Sequence, residues 1–317
     1  MIEVAVIGAG AFGREHARVY SEIAGAHLAA VCEIDEPRGR AVAERYGARF
    51  ISDYRELIGT VRAVSVATPT ASHETVACEL LAAGIAVLVE KPIARTLAEA
   101  NHIIEEARRA NAVLQVGHLE RFNPAVMSAS RLLTRPLFFE AHRLSVFTPR
   151  SLDIDVVMDL MIHDLDVILS FVDSEVREVR AAGVPILTPH FDIANARIEF
   201  ANGCIANLTA SRVSAERVRK LRFFQPGQYI SIDYAVQEAA IVGVRARTGG
   251  RPEFESSLLE VEHAEPLLLE IESFLRAVEG AEVKVKGEDG RRALELAVGV
   301  TDRIREHAQR AGVTLSR

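Results

Sequence analysis

The sequence has no C-x-x-C pair. Its three cysteines, Cys32, Cys78 and Cys204, stand far apart. That spacing excludes a zinc or disulfide framework and reads as small buried thiols in a reducing compartment. No apolar run approaches the roughly 18 residues of a membrane span. The N-terminus enters a strand at once, with no basic region before it. A cytoplasmic protein without a membrane partner is expected. Positive charge is not in excess either: the formal net charge is -7, and there is no aromatic platform, so a nucleic-acid partner is not expected. The basic run Arg217-Val218-Arg219-Lys220-Leu221-Arg222 alternates with apolar residues, as a strand with one solvated face does. Internal repeats and low-complexity linkers are also missing.

What remains is an ordinary globular composition, 49% hydrophobic and 26% charged over 317 residues, enough for two domains. Short apolar runs alternate with helical spacing from Ile2 to Val116. Strands at Ile2 to Ile7, His27 to Cys32, Ala63 to Ala67, Ile85 to Val89 and Val113 to Val116 enclose helices. This predicts a doubly wound parallel sheet. The alternation stops near Gly117. Beyond a helix at Val156 to Phe171 come consecutive strands from Val176 to Glu262, joined by turns such as Ala201-Asn202-Gly203. A mainly antiparallel sheet is expected there, and two helices close the chain. The expected fold is an α/β Rossmann domain over residues 1–118 followed by an α+β domain over 119–317, with the last helix able to pack back on the first domain.

The first strand runs directly into Gly8-Ala9-Gly10-Ala11-Phe12-Gly13 and a helix, and the second strand ends at Glu33. In a dinucleotide loop, Gly8 permits the tight turn, Gly10 lets the backbone approach the pyrophosphate, and Gly13 lets helix and strand pack closely. Ala11 and Phe12 open the helix whose free N–H groups face the phosphates. Glu33 is expected to accept hydrogen bonds from the adenosine ribose and to repel a 2′-phosphate. NAD is therefore favoured over NADP, although Arg38 and Arg40 lie close enough to weaken that preference. Thr68-Pro69 and Glu90-Lys91-Pro92 follow later strands and face the site where the nicotinamide should lie. The proline permits a cis bond. His73 either touches the cofactor or is a surface or capping histidine.

Asp159, His163 and Asp166 lie at i, i+4 and i+7 and share one face of the expected helix. A carboxylate one turn from an imidazole can hold its tautomer. The imidazole can then take a hydroxyl proton while hydride leaves carbon. A nearby lysine, Lys91, can stabilise the developing alkoxide. Taken singly, His163 could be a satisfied core histidine, and Asp159 and Asp166 could cap or pair with arginines. These three do not supply a fourth metal ligand, so no metal is expected.

The glycine loop, Thr68-Pro69, Glu90-Lys91-Pro92 and the Asp159-x-x-x-His163 helix resemble the glucose–fructose oxidoreductase/inositol dehydrogenase (Gfo/Idh/MocA) family over nearly the whole chain. Gly287-Glu288-Asp289-Gly290-Arg291-Arg292-Ala293-Leu294 is similar to that family's C-terminal helix start. The resemblance implies NAD(P)-linked oxidation or reduction of a sugar, cyclitol or nucleotide sugar, with Lys91, Asp159 and His163 as the catalytic set. It also implies a large open sheet through which the protein forms a homodimer or homotetramer. Gly117-His118-Leu119-Glu120-Arg121-Phe122-Asn123-Pro124 resembles members that act as UDP-N-acetylglucosamine 3-dehydrogenases. It makes His118 and Arg121 substrate-binding candidates. Arg121 could hold a diphosphate or sugar oxygen, or form an interdomain salt bridge. An inositol or aldose dehydrogenase is the alternative within the family. A non-catalytic dinucleotide-sensing regulator is the alternative outside it. The expectation common to the enzyme readings is that Lys91 and His163 meet beside the nicotinamide.

Overall fold

A computed structural model describes residues 1–148, 154–245 and 253–312. The chain divides into two compact units: Met1–Leu119 with Glu265–Leu294, and Glu120–Ala264 with Glu295–Arg317.

In the first unit, β1 (Ile2–Ile7), β2 (Ala26–Cys32), β3 (Arg49–Ile51), β4 (Ala63–Val66), β5 (Ala86–Glu90) and β6 (Leu114–Gly117) form one sheet. Its order is β3-β2-β1-β4-β5-β6 and every pairing is parallel. Strands such as β5, buried at every residue, are apolar because helices cover both faces of such a sheet. Those helices are α1 (Ala11–Glu22), α2 (Glu36–Arg45), α3 (His73–Ala82) and α4 (Leu97–Ala110). Their ends are written locally. Asp35 caps α2 by accepting from the Arg38 N–H, with Pro37 in the first turn. Thr96 and Glu99 make a reciprocal capping box on α4, and Asn111 ends it in the left-handed region at φ 50°. The strand β3 has no counterpart in the sequence reading. Three edge residues are too few to establish a period of two.

The second unit opens with α5 (Pro124–Ser130) and β7 (Phe138–Leu144). The expected helix at Val156 to Phe171 is two pieces. A π-helical turn, Val157–Met161, leads into α6 (Ile162–Phe171). Then come β8 (Val176–Val184), β9 (Ile193–Phe200), β10 (Ile205–Ser211), β11 (Val218–Gln225), β12 (Gln228–Asp233), β13 (Glu238–Arg245) and β14 (Glu253–Leu258). With β7 they form an eight-stranded sheet, β14-β13-β12-β11-β7-β10-β9-β8. Among the described residues only β7 and β10 pair in parallel; the other pairings are antiparallel. The expected strand end at Ala246 to Arg247 lies outside the described residues. On β11, Leu221 and Phe223 are buried, while Arg222 and Lys220 reach Glu140 and Asp233 at the sheet surface. The basic run is therefore the polar side of a strand.

The chain then returns. Helix α7 (Pro266–Val278) packs on α1 inside the first unit, where Ile271 and Phe274 join Val4, Val19 and Tyr20 in one core. A fully buried phenylalanine of this kind contributes about 1.5–3 kcal/mol through burial alone. Helix α8 (Gly287–Arg310) is the last element. All three cysteines are free and buried. Among the described residues, no helix is long and apolar enough to cross a membrane.

Candidate active site

The glycine loop connects β1 to α1. Gly8 has φ 96°, and a Cβ there would stand 2.6 Å from the Ala67 carbonyl oxygen. A side chain at Gly13 would come within 1.8 Å of the Gly8 carbonyl oxygen, so only glycine lets the helix begin this close to the strand. At Gly10 the same construction meets nothing within 4 Å. Gly10 is the N-cap of α1. No side chain caps this end, and no acid lies in the first turn. The free N–H groups at such an end, with the positive pole of the helix, suit an anion. Loop and helix end thus fit a dinucleotide's phosphates, with Ala11 and Phe12 forming the first turn.

Glu33 follows β2, and its carboxylate is crowded with donors. Oε2 accepts from the Ala9 N–H at 2.8 Å and Arg38 Nε at 3.1 Å. Oε1 accepts from the Asp35 N–H at 3.1 Å, with Arg38 NH2 at 3.0 Å. Burial alone would raise its pKa, but the Arg38 guanidinium and the two amides bring it down to about 2. Arg38 thus lies directly on the acid expected to read the ribose. Arg40 instead pairs with Glu36 and covers the Phe50 ring.

At the carboxyl ends of β4 and β5, His73 joins two turns. Its Nδ1 is 3.0 Å from the Pro92 carbonyl oxygen and its Nε2 is 2.9 Å from that of Thr68. The ring is 1% exposed, so it is not a surface residue, and its side chain contacts carbonyls, not a helix end. Burial pushes its pKa below the ordinary value. A neutral ring donates to one of the two carbonyls at a time. The Lys91–Pro92 peptide is cis. Glu90 is buried, and its Oε2 accepts the Lys91 N–H at 3.3 Å. Ser72 Oγ lies 2.8 Å from Thr68 Oγ1 and 2.9 Å from the Pro69 carbonyl oxygen, with one proton to share between them. His118 is buried just past β6.

In the second unit, Asp159 sits in the π-helical turn and His163 in the first turn of α6. The π turn breaks the 3.6-residue spacing between Asp159 and Asp166, while His163 remains about one turn from Asp159. Asp159 Oδ2 lies 4.0 Å from Arg212 NH2, and that group also donates to the Ile154 carbonyl at 2.7 Å. Arg212 Nε in turn lies 3.9 Å from Asp192. The latter carboxylate is fully buried and accepts the N–H groups of Ile186, Leu187 and Thr188. Asp166 is buried and pairs with Arg121 at 3.6 Å. The Arg121 salt bridge therefore lies within one unit and is not interdomain.

A buried network beside His163 escaped the sequence reading. Arg143 grips Asp164 with Nε at 2.7 Å and NH2 at 3.1 Å, and donates to Glu120 at 2.9 Å. Asn123 links Glu120 to the Tyr234 carbonyl, and the guanidinium covers the Tyr234 ring at 4.9 Å. Burial alone would lower the Arg143 pKa, but the carboxylates of Asp164 and Glu120 hold it well above the usual range. The available signal was alternation. In β7, Arg143 falls on the buried side with Phe139 and Ala141.

A parallel sheet in this order, with a glycine loop at its switch point and an acid after β2, is a dinucleotide-binding Rossmann unit. Residues 2–118 match the oxidoreductase family with an NAD-binding Rossmann fold, and residues 134–226 match the GFO/IDH/MocA C-terminal domain. The UDP-N-acetylglucosamine 3-dehydrogenase of Acidithiobacillus ferrooxidans is 38% identical over 308 residues, covering 96% of this chain and 98% of that one. A solved structure of UDP-N-acetylglucosamine 3-dehydrogenase from that organism gives a TM-score of 0.93 at 37% identity, covering 97% of this chain and 99% of that chain. An inositol 2-dehydrogenase of Acidothermus cellulolyticus is 36% identical over 191 residues, 57% of this chain and 56% of the relative. The chain belongs to the GFO/IDH/MocA family of NAD-binding oxidoreductases.

Proposed function

We propose that this protein is an NAD-dependent UDP-N-acetylglucosamine 3-dehydrogenase that oxidises the sugar's 3-hydroxyl to a ketone. The observation that carries this is the end-to-end likeness to the A. ferrooxidans enzyme, which leaves almost none of either chain unmatched. The glycine loop, with Ala11 and Phe12, holds the pyrophosphate. Glu33 faces the ribose, and Thr68, Pro69, His73, Glu90 and Lys91 line the nicotinamide end. Bound NAD supplies the hydride acceptor. His163, oriented by Asp159, takes the hydroxyl proton as the C–H bond at carbon 3 gives up its hydride and the C=O bond forms. Lys91 stabilises the alkoxide while charge is on oxygen. His118 and Arg121 contact the nucleotide sugar, with Asp166 orienting Arg121. The enzyme works in the cytoplasm, a setting that suits three free buried cysteines, and assembles as a homodimer or homotetramer through the open sheet.

Absorbance of reduced nicotinamide tests this directly. The protein with NAD is offered UDP-N-acetylglucosamine, UDP-glucose, myo-inositol and glucose. Reduction with UDP-N-acetylglucosamine far above the others is expected. Turnover of myo-inositol alone would replace the substrate assignment with an inositol dehydrogenase. No reduction with any of them, despite tight NAD binding, would favour a dinucleotide sensor. Lys91→Ala and His163→Ala should each lower kcat by about 100-fold or more while leaving the Kd for NAD nearly unchanged. Undiminished turnover in either variant would remove that residue from the chemistry.

A further inference from the structure

The core of the first unit contains a polar chain, from Tyr20 through Ser65 and His16, that leads to Glu90 and Lys91 and has no role in the chemistry proposed above. His16, on α1, is fully buried. Its Nε2 lies 2.9 Å from Glu90 Oε1 and its Nδ1 lies 3.0 Å from Ser65 Oγ. Ser65 Oγ is also 2.9 Å from the Tyr20 hydroxyl. Glu270, on α7 and fully buried, brings a second carboxylate. One donor atom from each of His16, Glu90 and Glu270 lies within 4.8 Å of the other two. Burying such groups is costly unless their hydrogen bonds are met. A sheet core that only had to pack would contain aliphatic side chains here.

Two contacts and one gap fix where the Glu90 carboxylate points. Oε1 meets the His16 imidazole, and Oε2 accepts the backbone N–H of Lys91. The gap lies across the β5–β6 pairing. Gly117 lies opposite Glu90, and a Cβ there would come within 2.7 Å of Glu90 Oε1. Glycine at that position leaves room for the carboxylate. The result is a continuous line from Tyr20 through Ser65, His16 and Glu90 to the amide of Lys91.

We propose that His16 is a positioning residue for Lys91. It holds the Glu90 carboxylate, which holds the Lys91 amide, and so sets the origin of the lysine side chain. This rests on Lys91 being the cation of the reaction proposed above. Ser65 and Tyr20 orient the imidazole, and α7 closes the assembly with Glu270. The His16–Glu90 spacing is that of a hydrogen bond, so the cluster works as protein alone and does not call for an ion between its members.

Steady-state kinetics of His16→Leu, His16→Gln, Ser65→Ala and Lys91→Ala test the proposal in the full chain. His16→Leu is expected to lower kcat about 10- to 100-fold, as a small misplacement of a reacting group does, with the KM for NAD changed less than about threefold. In His16→Gln the amide can still donate to Glu90, and most of the lost kcat should return. Ser65→Ala removes one hydrogen bond and should cost about 2- to 10-fold in kcat. It carries the test alone if His16→Leu does not fold. Full kcat in His16→Leu or in Ser65→Ala would overturn the proposal, as would a His16→Gln variant no better than His16→Leu. So would one tightly bound metal ion per chain whose removal reproduces the His16→Leu kinetics. If Lys91→Ala abolishes turnover and His16→Leu does not, only the positioning role fails. If Lys91→Ala keeps turnover, the assignment of Lys91 fails and the role of His16 with it.

Discussion

Glu33 connects the cofactor loop to acid stability in a way that can be measured. Its carboxylate accepts from two backbone amides and from Arg38 Nε, with Arg38 NH2 in ion-pair contact. These donors bring its pKa from 4.5 to about 2. The folded-state value is the lower one, so the unfolded chain binds the proton first as pH falls. The stabilisation is therefore complete above pH 4.5 and is lost as pH falls through about 2. A drop of that size sets a ceiling of about 3 kcal/mol. The Arg38 side chain is 47% exposed, and solvent screening reduces the expected contribution to about 1–2 kcal/mol. The perturbation is Glu33→Gln, which keeps the shape and removes the titration. Urea unfolding followed by circular dichroism should show the variant less stable by about 1–2 kcal/mol at pH 7. Less than about half of that gap should remain at pH 3. A gap that is the same at pH 7 and pH 3 would refute the reasoning, because the acid would then contribute through packing and not through charge.

In the proposed cofactor site the same pair would set cofactor choice, because Arg38 lies on the carboxylate that the ribose hydroxyls would approach. Arg38→Ala should leave NAD binding within about threefold and weaken NADP by about tenfold or more, as loss of one charge-assisted bond to phosphate does. Equal shifts for both in calorimetric titration would remove Arg38 from the selection. Gly13→Ala should destabilise the protein by at least about 1–3 kcal/mol and weaken NAD binding, since the new methyl falls 1.8 Å from the Gly8 carbonyl oxygen. A variant with wild-type urea midpoint and NAD affinity would show that α1 can move away from β1 without cost. Arg143→Met leaves Asp164 and Glu120 without their cation and should cost about 3–5 kcal/mol. Adding Asp164→Asn should return part of the loss, and strict additivity of the two changes would argue against the pairing.

Local rules carry far in the first unit because most of its elements, the short edge strand β3 apart, declare themselves within a few residues. The strand Ile2–Ile7 is apolar except for Glu3, the glycine spacing follows at once, and Thr96 with Glu99 marks a helix start. The second sheet is legible for a related reason: period-two runs and the Asn202-Gly203 turn do not depend on distant partners. What the sequence withholds is whatever depends on pairing in space or on a break in period. Nothing in Val157–Met161 distinguishes a π turn from another α turn, so the break in period there is not legible in the sequence. Glu270 is separated from His16 by most of the chain, and no periodicity links them. The traces that did exist were polar residues in apolar company: Ser65 inside Ala63–Val66, Arg143 on the inward side of β7, Glu270 in the apolar stretch of α7. Each marks a site where burial of a polar group had to be offset by partners brought from elsewhere. Two of these networks adjoin residues proposed for the chemistry, Lys91 and His163. That is where rigid placement is worth most to an enzyme, and the polar exception in an apolar run is therefore the sequence signal to follow from a fold toward its site.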